Sequence, residues 1–145
     1  MTVFVVYARD TGRLVSVNTC ADALYPDMPR PAWPLGYLEI PTMPINVQTW
    51  LPTHYVDVGT STVVQCKPMT ASVPKTTIAA DANDTVTLTG LPSPCSVSIT
   101  GTITAGPLDV PDGELALTSN VPGDFLVSVT APPVWLPWSV TIHAI

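Results

Sequence analysis

Thr85-Val86-Thr87-Leu88-Thr89, Cys95-Ser96-Val97-Ser98-Ile99 and Phe125-Leu126-Val127-Ser128-Val129 decide the fold class. In each stretch apolar residues recur at every second position. Successive side chains of an extended strand point to opposite faces, so this period places one face in a core and the other outside it. Turn residues bound these stretches: Asp81-Ala82-Asn83-Asp84, Gly90-Leu91-Pro92, Ala105-Gly106-Pro107, Pro111-Asp112-Gly113 and Val121-Pro122-Gly123. The resulting pattern predicts strands over 75–79, 84–89, 95–99, 115–118, 124–129 and 138–142. Short strands at such spacing indicate a small antiparallel Ig-like β-sandwich over residues 74–145. The expected core is Val86, Leu88, Val97, Ile99, Leu115, Leu117, Val127, Val129, Val140 and Ile142.

Working outward, residues 1–73 read as a hairpin-rich unit. Val3-Phe4-Val5-Val6-Tyr7-Ala8 and Leu14-Val15-Ser16-Val17 flank Arg9-Asp10-Thr11-Gly12-Arg13, a hairpin whose glycine is placed to take positive φ. A similar unit runs from Tyr55-Val56-Asp57-Val58 through Gly59-Thr60-Ser61 to Thr62-Val63-Val64, and the two hairpins are expected to pair into one sheet. Between them lies a proline-rich arm over 26–52, with seven prolines and the charges Asp27, Arg30 and Glu39. Trp33, Leu35, Tyr37, Ile40, Ile45 and Trp50 anchor it, which a disordered linker lacks. At about 25 cal/mol per Å² these six side chains represent on the order of 10 kcal/mol of burial. The arm is therefore expected to dock on its own unit or on a neighbour, and its prolines confine it to edge strands. The 17 prolines leave room for little helix; only 19–24 has mild helical character, ended by Pro26.

The composition sets the classes of function. Of 145 residues, 46% are hydrophobic and 11% charged, against about 25% charged in ordinary globular chains. Mean hydropathy is +0.36. Twenty threonines can coat strands, but four tryptophans ask for burial against other subunits. The longest apolar runs fall far short of the roughly 20 residues a membrane span needs. The opening Met-Thr-Val-Phe-Val-Val-Tyr reads as a strand, not a signal peptide, so synthesis in the cytoplasm is expected. Net charge is −6 and the five basic residues are scattered, so no nucleic-acid partner is expected. Cys20, Cys66 and Cys95 lack metal or disulfide spacing and are expected as reduced thiols, with a Cys20–Cys66 bridge as the alternative.

No catalytic constellation is legible, and no enzyme, cofactor, metal or small-molecule substrate is expected. His54 and Cys66 flank one hairpin, yet no third group orients them. Asp81, Asp84 and Asp112 sit in turns, where such side chains cap backbone amides; Asp81, Asn83 and Asp84 as weak calcium ligands are the alternative. Phosphate-cradling glycine loops and the Gly-x-Ser-x-Gly elbow are missing from the sequence. The aromatics carry more. Trp138 is expected in the core. Trp135, crowded among prolines, reads as a plug at one end of the sandwich, as a subunit contact, or as a sugar platform, although the polar cluster of a sugar site is not legible beside it. The candidate interface residues are Trp33, Tyr37, Trp50 and Trp135.

The run from Lys75-Thr76-Thr77-Ile78-Ala79-Ala80-Asp81 through Gly90-Leu91-Pro92, Pro94-Cys95-Ser96-Val97, Pro111-Asp112-Gly113 and Val121-Pro122-Gly123 to Leu136-Pro137-Trp138-Ser139-Val140-Thr141-Ile142 resembles the C-terminal Ig-like module of small structural proteins of tailed bacteriophages. The lead-in His54-Tyr55-Val56-Asp57, Val63-Val64 and Lys67-Pro68-Met69 is similar to the hairpin preceding that module. The resemblance covers 54–145 and leaves the 26–52 arm outside it. It implies a non-enzymatic virion protein of the tail, baseplate or tail-fibre region, made in the bacterial cytoplasm. The expected partners are other virion subunits, including copies of itself. The alternatives are a capsid decoration protein and a glycan-binding module with Tyr37 and Trp135 as platform.

Overall fold

The computed structural model describes residues 1–29 and 31–145; the Arg30 charge counted in the arm lies outside the described residues. Strands hold 48% of the chain and helices 7%, in several antiparallel sheets. The chain divides into two compact units, Met1–Cys66 and Lys67–Ile145.

In the first unit, β1 (Thr2–Ala8) and β2 (Leu14–Cys20) form the expected hairpin, with Gly12 at φ +77°. β3 (Leu35–Ile40), from within the proline-rich arm, pairs antiparallel with the other edge of β1, giving the order β2-β1-β3. Pro34 and Pro41 bracket β3 at the sheet edge, where a missing N–H costs no ladder bond. β4 (His54–Asp57) and β5 (Thr62–Gln65) form the second hairpin, its turn held by Gly59 and Thr60 amides donating to Asp57 Oδ1 at 2.9 and 3.3 Å. The two hairpins do not merge into one sheet, contrary to the sequence reading. β3 joins the sheet instead, and the hairpins meet at an Arg13–Tyr55 bridge, with the Val56 amide donating to the Gly12 carbonyl at 2.8 Å. Val5, Leu14, Ile40 and Val56 are the buried centre, with Val3, Tyr7, Leu38 and Trp50 packed around them. Short helical turns at Asp22–Leu24, Val47–Trp50 and Leu51–Thr53 complete the unit; Asn46 caps the second by accepting from the Thr49 amide.

In the second unit the strands are β6 (Thr77–Ile78), β7 (Val86–Leu88), β8 (Cys95–Gly101), β9 (Ala105–Val110), β10 (Leu115–Leu117), β11 (Gly123–Thr130) and β12 (Trp138–Ala144). Five of them form one sheet in the order β6-β12-β11-β8-β9, and β10-β7 form a second. Every pairing is antiparallel except β6 with β12. Inward residues of both sheets share one core: Val86 and Leu88 from β7, Val97 from β8, Phe125, Val127 and Val129 from β11, and Ile142 from β12. Met69, Ala71 and Val73 also pack on this core, and Ser72 exchanges backbone hydrogen bonds with Thr89.

Two expectations change here. Ala105-Gly106-Pro107 is not a turn: it begins β9, the reversal having been made at 102–104. The proline fits because β9 is an edge strand, and the β8–β9 register shifts between Val97 and Ile99. In the core, Ile99, Leu115, Leu117 and Val140 are only partly buried. Ile99 and Leu117 line a cavity of about 290 Å³ together with Phe125 and Val127, so part of each side chain faces open space. Ile78, Leu91, Cys95, Val110, Phe125 and Ala144 are buried beside the expected residues.

Candidate interaction surface

The arm separates into covered and uncovered anchors. Ile40 is buried in the core of the first unit, where Leu38 of β3 also packs. Trp50 packs against the same core and stacks on the His54 ring, centroids 4.5 Å apart and planes 18° apart. His54 Nδ1 lies 3.0 Å from both the Trp50 carbonyl and Thr53 Oγ1, so the imidazole is engaged locally. Tyr37 points to the other face of β3. Its ring meets Phe4 edge-on at 5.2 Å, and Tyr25 meets the same Phe4 at 5.6 Å. Trp33, by contrast, is 72% exposed, and Ile45 is fully exposed. Four of the six anchors are thus wholly or partly covered by their own unit, and two stand in solvent.

Trp135 in the second unit is half-buried, its amide donating to the Pro132 carbonyl at 3.0 Å. Lys67 bridges to it: the Lys67 amide donates to the Val134 carbonyl and the Leu136 amide to the Lys67 carbonyl, at 2.7 and 2.8 Å. Trp138 packs on the core from β12. Leu24 and Met43 add to the exposed apolar residues of the first unit, and Ile103, Leu108 and Leu126 are exposed in the second. The sequence reading passed over Leu24 and Met43. For Met43 a signal exists, because prolines at 41 and 44 hold the chain away from a sheet that could cover it.

The polar groups are mostly structural. Asp81 Oδ1 accepts from the Asn83 and Asp84 amides at 2.8 and 2.9 Å, the turn cap the sequence predicts, and these bonds hold its carboxyl below the usual range. Asp84 contacts Lys75 Nζ and accepts from the Ala79 amide, which likewise lowers its pKa. Among the described residues no group of three or more His, Cys, Asp and Glu side chains is placed to hold a metal ion. No helix there is long and apolar enough to cross a membrane. Burial pushes the Cys66 and Cys95 thiols up, the opposite of what an activated nucleophile needs. Cys20 is only half-buried. Titration of native protein with a chromogenic disulfide should therefore modify Cys20 first, with Cys66 and Cys95 following only in denaturant. Rapid native reaction of all three would contradict the burial of the other two.

Comparison of the chain with protein-family models, with curated proteins and with solved structures gave no match.

Proposed function

We propose that this chain is a non-enzymatic structural protein of a tailed-bacteriophage virion, placed in the tail, baseplate or tail-fibre region, where it mediates contacts between subunits. Its C-terminal unit is an Ig-like β-sandwich. Support for that fold comes from the strand order: β6 runs parallel to the last strand at one end of the five-stranded sheet, and β7 with β10 supplies the opposing layer. The observation that carries the functional reading is the pair Trp33 and Ile45, large apolar side chains left in solvent by a chain with only 11% charged residues. Exposed tryptophan is a common anchor of protein interfaces, where it fills a desolvated pocket on the partner. Both side chains lie on the arm, outside the pairings that build the first unit's sheets.

The test uses point substitutions, because deleting 27–51 would also remove β3 and the buried Ile40. Trp33→Ser and Ile45→Ser should leave the unfolding midpoint within about 0.5 kcal/mol of wild type, as surface changes do. The double variant should nevertheless be depleted from gradient-purified particles, scored with an antibody against the chain. Wild-type chain found only in the particle-free supernatant would overturn the virion assignment. Normal incorporation of the double variant would overturn the arm as the contact.

A further inference from the structure

The larger sheet of the second unit is longer than the layer that covers it. β7 and β10 have three residues each, whereas β8, β11 and β12 run for seven or eight. The short layer ends at its Val86–Leu117 pair, and the 290 Å³ cavity lies at that end. It is lined by Phe125 and Val127 of β11 but not Val129, by Ile99 of β8 but not Val97, and by Leu117 of β10 but not Leu115. The register agrees: Phe125 pairs with Ile142, Val127 with Ile99, and Ile99 with Ala105, so all face the same side of one sheet. Ile78, Val127 and Ile142, each at most 2% exposed, form the floor. Ile103, at 42%, and the exposed Ala105, Thr118 and Asn120 stand at the rim. The cavity is a recess with an apolar floor and an open mouth.

Its volume is about twice the roughly 150 Å³ in which an apolar protein cavity holds benzene. Among the described residues, none of the lining side chains is charged. The charged groups beside this end in the chain are already engaged. Asp81 caps its own turn, Asp84 contacts Lys75, and Asp124 Oδ1 lies 2.7 Å from His143 Nδ1. Lys67 bridges to Trp135, in the segment that leaves the opposite end of β11. Neither a carboxylate nor an ammonium head would find a free counter-charge, and an unpaired charge is costly to bring out of water. Neutral polar groups are available instead. The Thr118 and Asn120 side chains make no hydrogen bond among the described residues, while Ser119 Oγ is held by the Val121 backbone.

We propose that this recess binds the alkyl chain of an uncharged lipid, a medium-chain alcohol or acylglycerol. The chain lies on Ile78, Ile99, Phe125 and Ile142, and its hydroxyl end meets Thr118 and Asn120 at the mouth. Aliphatic walls with a single aromatic ring suit a flexible chain better than a sugar or a flat polar ring. The site lies within the second unit and stands whether or not the chain belongs to a virion.

Titration of the full-length protein with butanol, hexanol, octanol and decanol, followed by amide chemical shifts, tests it. Shifts should centre on Ile78, Ile99, Leu117 and Phe125. Affinity should rise about fourfold per added methylene and level off once the chain outgrows the recess. Octanol should bind about tenfold or more tightly than octanoate or octylammonium, whose charges would stay unpaired. Ala105→Phe, which places a ring at the mouth, should weaken octanol binding about tenfold or more, and Ile103→Ser about threefold. Leu126→Ser, on the outer face of β11, should leave binding unchanged. Unchanged thermal unfolding of Ala105→Phe and Ile103→Ser would separate their losses from misfolding. Octanoylglycerol binding as tightly as octanol would identify the acylglycerol as the source; weaker binding would leave the free alcohol. No shifts at millimolar octanol, octanoate binding as tightly as octanol, or undiminished binding by Ala105→Phe would each overturn the proposal. So would tighter binding of an end-blocked aliphatic peptide, which would assign the recess to a partner's strand.

Discussion

Leu88→Ala is expected to destabilise the C-terminal unit by about 2–5 kcal/mol, read from urea unfolding followed by tryptophan fluorescence. Leu88 is 0% exposed and sits at the end of β7, a strand of three residues paired only with the equally short β10. β7 and β10 form a sheet of their own, so side-chain packing holds this layer to the larger sheet: Val86 and Leu88, fully buried, with the partly buried Leu115 and Leu117. Truncation removes the transfer energy of three carbons and leaves a void, because Val86, Val97 and Val127 around it are themselves fully buried. Ile99→Ala should cost clearly less, since Ile99 already borders the 290 Å³ cavity and loses fewer contacts. Equal losses at the two positions would show that this cavity is filled, and a Leu88→Ala loss below about 0.5 kcal/mol would place β7 outside the core.

Gly12→Ala should be comparably damaging to the first unit, at about 2–5 kcal/mol. The backbone there has φ +77°, which costs a residue with a Cβ about 1–2 kcal/mol. The added carbon would also lie 2.0 Å from the Val56 carbonyl oxygen, a backbone atom that cannot rotate aside. Relief requires β4 to retreat, which breaks the 2.8 Å hydrogen bond from the Val56 amide to Gly12 and opens the packing of the buried Val56. That hydrogen bond adds about 0.5–1.5 kcal/mol. Gly59→Ala is the matched control. Its Cβ would meet only Asp57 Oδ1, at 3.3 Å, and the midpoint should move by less than about 1 kcal/mol. A Gly12→Ala protein as stable as the Gly59→Ala one would mean that the two hairpins are not locked at this point.

Where a strand's pattern is local, it was legible. The period of two in 85–89, 95–99 and 125–129 becomes β7, β8 and β11, with Val86, Leu88, Val97, Val127 and Val129 all at 0% exposure. The hairpins at Gly12 and Gly59 were equally readable, because turn residues act within a few positions of themselves. What escaped depends on position in a sheet. Gly106-Pro107 has the chemistry of a turn, and only the edge location of β9 lets it remain extended. The same holds for β3, a strand bounded by prolines. Ile99 and Val97 have the same pattern, yet one faces a cavity and the other close-packed neighbours. Of the arm's side chains, Trp50 and Tyr37 found cover within the first unit while Trp33 and Ile45 did not, a partition set by tertiary packing.

The five-stranded sheet ends on β6, two residues long, and on β9, which carries Pro107. In the first unit β3 is an outer strand framed by Pro34 and Pro41. Short or proline-bearing borders are poor templates for a further strand, since they offer few consecutive N–H and C=O groups. At these three borders crowded copies would have little means of growing into a continuous ribbon, whereas β2, seven residues long and free of proline, is the open border of the first unit's sheet. Association at those borders would fall to side-chain surfaces. For a chain this apolar and this poor in charge, strand-by-strand growth is thereby confined to few places, and any filaments that bind amyloid dyes in concentrated solution should pair through β2.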